Sequence, residues 1–365
     1  MITILFLGIA FVILLWNLYY EHKWDKGVTI HLRFAENFVY ATEQSHLIEQ
    51  IENKKKLPLP VIEVSFRMRK ELVFHDMENT SISDYTYKRD VFALLGNQRI
   101  TRKLTVDCTK RGFYSIDKMD FKAYSLLFRS IYRKEEEQNT SLYVYAKRTN
   151  VNGILKTFDQ LMGTLQCEKK VLEDPFAFSS IREYTITDPM KTINWKASAK
   201  TGDLMVNTFE STLTKRMMIY LDVEDSGIIK QEHLIEESIS IAATLVQKML
   251  NRSMEIGIAV CTKDGGISSF SPKSGKQQLV GIEQLLSRLK ASENRDTFPV
   301  LLENAKEDAI PVFISKNATK LHQDSIEKFL KTTQGIWIVP YNDNSLNEIK
   351  KSRNIKTIRR KVEGS

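Results

Sequence analysis

The hydrophobic pattern of the chain changes character twice. Residues 2–18 are almost wholly apolar, with Asn17 the clear exception, and Tyr19 and Tyr20 extend the run to about the length that crosses a bilayer. From residue 28 to about 147 the period is two. Ile62, Val64, Phe66 and Met68 alternate with Glu63, Ser65, Arg67 and Arg69, which predicts a half-buried antiparallel strand. Ile100, Leu104, Val106 and Cys108 repeat the pattern against Thr101, Lys103, Thr105 and Asp107. Turn-like breaks at 53–60, 78–84 and 110–112 fit a small β-sandwich. The stretch 130–140, with its Lys-Glu-Glu-Glu-Gln-Asn run, reads as an exposed loop or insertion.

After residue 217 the period lengthens. Residues 217–223 are a continuous apolar run, as expected of a strand covered on both faces. Leu234, Ser238, Ile241, Leu245 and Met249 then fall at helical spacing. A strand at 256–260 follows, then a helix over 276–290 with Leu279, Ile282, Leu286 and Leu289 on one side. A strand at 311–315, a helix near 325–332 and a strand at 336–339 complete the series. This alternation predicts an open, mainly parallel α/β sheet. The expected fold class is α+β multidomain. It comprises a transmembrane anchor at 1–20, an antiparallel β-sandwich-like domain at 28–147, an arm at 174–216, an α/β domain at 217–341 and a basic tail at 342–365.

A length of 365 residues exceeds one typical domain, and 42% hydrophobic content is ample for more than one core. The net charge of +8 and pI near 9.1 favour anionic neighbours such as membrane lipids. Cys108, Cys167 and Cys261 lie far apart and form neither a disulfide framework nor a zinc spacing, so they read as buried thiols in a reducing compartment. No Lys or Arg precedes the apolar run and bulky residues follow it, which argues for an uncleaved anchor over a signal peptide. Trp16, Tyr19, Tyr20 and Trp24 suit the headgroup zone. Lys23, Lys26 and Arg33 just beyond the span place the body in the cytoplasm, on a single pass of the cell membrane. The tail, with Lys350, Lys351, Arg353, Lys356, Arg359, Arg360 and Lys361, lacks a clear apolar face and reads as a solvated end near an anionic surface.

One polar, basic and aromatic run stands apart. Arg182-x-Tyr184, then Asp188, then Ile193-x-Trp195-Lys196-x-Ser198-Ala199-Lys200 and Leu204-Met205-Val206 resembles the signature of the family known as domain of unknown function 58. The resemblance extends to Ile51-Glu52-Asn53, Leu57-Pro58-Leu59-Pro60 and Arg111-Gly112-Phe113-Tyr114, and it covers most of residues 2–341. The chain departs from the family in two places. It shows one span where members often have two, and Tyr124-Ser125-Leu126-Leu127-Phe128 replaces an Asp-Pro-Phe-Gly-like segment. The resemblance implies a von Willebrand factor A-like α/β half and a MoxR-type AAA+ ATPase as partner.

Two candidate sites follow. In the arm, Arg182, Lys196 and Lys200 carry positive charge and Asp188 can hold Arg182 or Lys191. Tyr184 and Trp195 offer the amphipathic faces common at interfaces. The same residues also suit an interdomain lock, with Trp195 a core anchor and Arg182–Asp188 an internal ion pair, and both readings stand. The second candidate is Asp222-Val223-Glu224-Asp225-Ser226, at the carboxyl end of the first α/β strand, where ligands gather in open sheets. The resemblance implies an Asp-x-Ser-x-Ser metal loop there. Asp222 and Ser226 match, but Glu224 stands at the first Ser and Lys316 follows the strand that would normally deliver an Asp. The ligand demands of Mg²⁺ therefore argue against it, and no other cofactor is expected. The alternative is a polar loop with Asp225 or Ser226 capping the next helix.

For catalysis the signal is poor. The six histidines form no metalloprotease spacing, and no Ser or Cys sits in a recognised nucleophile motif. Glu236 and Glu237 read as a solvated helix face. The expectation is a non-enzymatic, membrane-anchored adaptor. A hydrolase or transferase acting on envelope components, assembled from residues distant in sequence, is the rival. A basic lipid- or nucleic-acid-binding module comes third, and nucleic acid is not expected because the basic residues lack a recognised motif with interleaved aromatics.

Overall fold

A computed structural model of the protein describes residues 2–125, 130–168, 178–186, 188–209, 216–305, 309–331, 333–342, 349–350 and 352–362. The described chain forms two compact units, Met1–Arg148 with Gly281–Leu289, and Thr149–Val280 with Lys290–Ser365.

The first unit opens with helix α1 (Ile2–Lys23), which is long and apolar enough to cross a membrane. Its exposed side chains include Leu5, Phe6, Phe11, Leu14 and Trp16, as expected of a surface that water does not have to solvate. The foot of α1 is built into the protein. Tyr20 and Trp24 are buried, Trp24 stacks on Tyr132 with ring centroids 5.6 Å apart, and the Tyr20 hydroxyl donates to the Tyr124 carbonyl at 3.2 Å. These two rings therefore act as core, not as part of the expected headgroup belt. Lys55 donates its ammonium to the carbonyls of Lys23 (2.9 Å) and Trp24, placing a cation at the negative end of the helix.

Ten strands follow: β1 (Val28–Phe34), β2 (Phe38–Tyr40), β3 (Gln44–Asn53), β4 (Leu59–Arg69), β5 (Leu72–Phe74), β6 (Thr80–Ile82), β7 (Tyr85–Leu94), β8 (Gln98–Cys108), β9 (Gly112–Tyr124) and β10 (Ile131–Tyr145). They make one sheet of order β1-β3-β8-β5 and another of order β2-β10-β9-β4-β7-β6, antiparallel except for the short β2–β10 pair. Alternate residues of both sheets, among them Ile30, Leu47, Ile62, Val64, Val106 and Phe121, form one buried cluster. This is the outcome of the period-two pattern.

The stretch 130–140 is not a loop. It is the first two-thirds of β10, paired with β9 through a register shift between Glu137 and Thr140. Its acidic run hid the strand because the charges find cross-strand partners, Lys118 reaching Glu135 at 2.5 Å. At the bulge, Gln138 and Thr140 turn inward. The Leu32 N–H donates to Gln138 Oε1 at 3.0 Å, Gln138 Nε2 donates to the Ile30 carbonyl at 3.1 Å, and the Phe34 N–H donates to Thr140 Oγ1 at 3.0 Å. Two side chains thus satisfy the free edge of β1.

The second unit begins with α2 (Asn152–Glu168), a helix outside the sequence expectation. A two-stranded ribbon of β11 (Phe178–Glu183) and β12 (Met205–Phe209) brackets α3 (Trp195–Thr201). The rest is a six-stranded mixed sheet: β13 (Arg216–Leu221), β14 (Glu255–Cys261), β15 (Ile267–Lys273), β16 (Ile310–Ile314), β17 (Gly335–Tyr341) and β18 (Ile355–Lys361). Its order is β15-β14-β13-β16-β17-β18, parallel except for β15. The accompanying helices are α4 (Glu232–Leu250), α6 (Thr297–Glu303) and α7 (Lys320–Leu330), while α5 (Lys276–Arg288) begins in this unit and has its larger part, from Gly281, in the first. Tyr220, Phe313 and Trp337 face one layer with Phe298 of α6 and Phe329 of α7, while α4 contacts β13, β14 and β17.

Within the expected basic tail, β18 pairs in parallel with β17 over seven residues. Arg360 of β18 forms an ion pair with Glu237 at 2.8 Å, so neither that arginine nor Glu237 is simply solvated. An edge strand needs only one covered face and a neighbouring ladder, which Lys and Arg at alternate positions do not prevent. Cys108 and Cys261 are buried free thiols.

Candidate functional site

In the arm, Arg182 leaves the ribbon and meets Asp188 in a bidentate pair, Nη1 to Oδ2 at 2.7 Å and Nη2 to Oδ1 at 2.6 Å. The Thr185 N–H and hydroxyl also donate to Asp188 Oδ2, each at 2.8 Å. The Arg182 guanidinium, helped by the Thr185 N–H, holds the Asp188 carboxyl well below the usual carboxylate range. Asn194 then caps α3 by accepting from the Ala197 N–H at 2.9 Å, and Gly202 ends the helix in the left-handed conformation (φ 87°). Ser198 ties α3 to β12, its hydroxyl accepting from the Met205 N–H at 2.8 Å.

This framework buries very little. Ile193 and Val206 are its buried apolar residues among those described, and Tyr184 is half-buried. Trp195 is 66% exposed, Met190 72% and Ile186 96%, while Lys196 and Lys200 lie exposed on α3. The Arg182–Asp188 pair of the interdomain-lock reading is present, but Trp195 is not a core anchor within the described structure. Residues 174–177, Thr187 and 210–215 of the arm, and 126–128 of the departing segment, lie outside the described residues.

The second candidate lies at the carboxyl end of β13, which pairs with β14 on one side and β16 on the other. The sheet reverses direction of growth there, the position at which open α/β sheets hold their ligands. Asp222 is the first residue beyond β13, and its backbone N–H still donates to the Ile314 carbonyl at 2.8 Å. Its carboxylate is fully enclosed. Oδ2 accepts from the Ser315 hydroxyl at 2.6 Å and from Asn317 Nδ2 at 3.0 Å, while Oδ1 accepts from the Glu224 N–H at 2.8 Å. Burial pushes this carboxyl up, but neighbouring His322, the Ser315 hydroxyl and the Glu224 N–H together hold it below the usual carboxylate range.

The loop folds over these contacts. The Asp225 N–H donates to the Ser292 carbonyl at 2.7 Å and the Ser292 N–H to the Val223 carbonyl at 2.8 Å. Asp225 accepts from the N–H of Gln231, the N-cap residue of α4, and from the Lys316 ammonium at 3.0 Å, while α4 itself has no side-chain cap. Ser226 does not face Asp222; its hydroxyl donates to Glu224 Oε1 at 2.7 Å. The donor set is thus unlike the hydroxyl-rich oxygen shell of an Asp-x-Ser-x-Ser loop. Glu224 and His322 replace hydroxyls, and a lysine stands beside Asp225.

Asp222, Glu224 and His322 each place a ligand atom within 4.8 Å of the others, all three buried. Of these, His322 escaped the sequence reading because no motif joins it to Asp222. The usable signal was positional: it lies in the first turn of the helix after β16, whose carboxyl end adjoins Asp222. Ser315 and Asn317 lie in the short connection between β16 and that helix.

No curated protein matches the chain. Solved structures with partial likeness include the CARDB domain of a Pyrococcus furiosus protein, 10% identical over 32% of this chain and 96% of its own, with a TM-score of 0.19. A type I cohesin of Pseudobacteroides cellulosolvens is 11% identical over 33% of this chain and 94% of its own, at 0.21. A cohesin of Archaeoglobus fulgidus is 10% identical over 36% and 96%, at 0.23. Likenesses this weak carry no argument. Residues 180–331, from the ribbon through α7, match the family described as protein of unknown function DUF58, and over that stretch the chain is similar to that family.

Proposed function

We propose that the protein is a membrane-anchored adaptor whose arm engages a protein partner, and that it catalyses no reaction itself. The observation that carries this reading is the exposure of Trp195, Met190 and Ile186 on a framework braced by the Arg182–Asp188 pair. Large apolar side chains held outward on a rigid support, beside Lys196 and Lys200, have the composition of a protein-binding surface. The family resemblance suggests a MoxR-type AAA+ ATPase as that partner. It also suggests a von Willebrand factor A-like identity for the mixed sheet, whose strand order suits such a domain. Helix α1 would hold the assembly at the cell membrane as a single pass, with Lys23, Lys26 and Arg33 favouring a cytoplasmic body.

Co-purification from native membranes tests the partner. Recovery of an AAA+ ATPase with the wild-type chain, reduced by Trp195→Ala, is the expected result. Failure to recover any such ATPase would overturn the adaptor reading, and equal recovery with Trp195→Ala would remove the arm from it. Protease digestion of intact cells tests the topology: loss of the body to external protease would overturn the cytoplasmic assignment.

A further inference from the structure

We infer that Asp222, Glu224 and His322 form a binding site for a divalent transition-metal cation of the Zn²⁺ class. The inference is independent of the adaptor reading and rests on three unsatisfied requirements that meet at one point. Glu224, 6% exposed, has one oxygen fixed by Ser226 while Oε2 has no hydrogen-bond partner. His322, 3% exposed, makes no hydrogen bond through Nε2, although that atom lies 3.4 Å from Asp222 Oδ2. The charges are also unbalanced. Among the described residues, three buried carboxylates, Asp222, Glu224 and Asp225, meet the Lys316 ammonium, which is committed to Asp225 and Gln231, the His322 imidazole beside Asp222, and the Lys230 ammonium, which is spent on the Asp225 carbonyl. Buried charge left in this state is costly unless a cation or a proton compensates it.

Thr319 holds the far side of the His322 ring. Thr319 Oγ1 caps α7 by accepting from the His322 N–H at 3.3 Å, and lies 2.8 Å from His322 Nδ1. A hydroxyl oxygen has two acceptor positions, so it can take both N–H groups of this residue. With the proton on Nδ1, the Nε2 lone pair points at the carboxylates. Asp222 Oδ2 already accepts from Ser315 and Asn317, so Oδ1, which accepts from the Glu224 N–H, is the oxygen with a lone pair left for the ion. The Phe298 ring stacked on His322 at 5.4 Å, with planes 8° apart, fixes the imidazole plane.

The surroundings are those of a supported metal site. Ser315, Asn317 and the Glu224 N–H orient Asp222, Ser226 orients Glu224, and Thr319 orients His322. One imidazole nitrogen and two carboxylates suit Zn²⁺, with a fourth position left for water or a partner's side chain. Mg²⁺ prefers an all-oxygen octahedron.

The test uses the full chain in detergent, stripped with a chelator. Zn²⁺ alone should bind at one ion per chain and raise the unfolding temperature, and Mg²⁺ should compete poorly. Co²⁺ should give the visible d–d absorption of a low-coordinate nitrogen–oxygen site. His322→Gln and Glu224→Gln should each weaken Zn²⁺ binding about tenfold or more, and Thr319→Ala by less. Absence of stoichiometric Co²⁺ absorption in the wild-type chain overturns the inference without reliance on any variant. Zn²⁺ binding equal in wild type and His322→Gln, or displaced equally well by Mg²⁺, overturns it also.

Discussion

Glu49 offers a sharp test of the buried electrostatics of the first unit. It lies on β3 at 1% exposure, and neither carboxylate oxygen has a hydrogen-bond partner. Its nearest cation is Arg102, 3.8 Å away, and Arg102 is nearer to Asp90, at 3.3 Å. Lys88 spends its hydrogen bonds on the Glu78 carbonyl and the Thr80 hydroxyl. Burial, then repulsion from Asp90, pushes the Glu49 carboxyl from 4.5 up to about 7 against the pull of Arg102 and Lys88. The folded state therefore holds a proton that the unfolded state releases. The stability tied to Glu49 is complete below about pH 4.5, falls as pH rises, and is lost once pH passes about 7. At 1.36 kcal/mol per pH unit, the loss across that window is roughly 3 kcal/mol. Glu49→Gln keeps the shape and removes the titration. Urea unfolding of the full chain in detergent, read by pulsed labelling of the buried Cys108 thiol, isolates this unit. The variant should gain on wild type by roughly 2–3 kcal/mol between about pH 5 and about pH 8. A difference between the two proteins that does not change with pH would refute the reasoning.

The same assay examines the bulge in β10. Gln138→Leu leaves the Leu32 N–H and the Ile30 carbonyl without their side-chain partner and should destabilise the unit by about 1–3 kcal/mol. In the second unit, Lys316→Met strips the buried Asp225 of its ammonium and should cost about 3–5 kcal/mol in denaturant titrations read at Cys261. Wild-type stability in that variant would mean that Asp225 is already neutralised by another group.

Much of the architecture was legible from periodicity. The alternation over Ile62–Met68 is β4, the apolar run from Met217 is β13, and the helical spacing from Leu234 is α4. Two errors share one cause. In residues 130–140 and 355–361 charge masks the alternation, yet both stretches form strands whose charges sit on an outer face or in cross-strand pairs. The candidate sites divide in the same way. The brace between Arg182 and Asp188 was readable because both residues lie in one short segment. The exposure of Trp195 was not, since an aromatic beside basic residues describes interiors and interfaces alike.

What the sequence determined by itself is what depends on near neighbours along the chain: the apolar helix, the periods of the strands and helices, and the local arm with its cap at Asn194. What only the tertiary structure decided depends on strand order. Placing β16 beside β13 brings Ser315, Lys316, Asn317 and His322 against Asp222, Glu224 and Asp225, across some ninety residues of intervening chain. Whether an acidic loop is solvated, capped or poised for a cation is set by which groups that crossover delivers and by the water it excludes. A linear pattern carries neither.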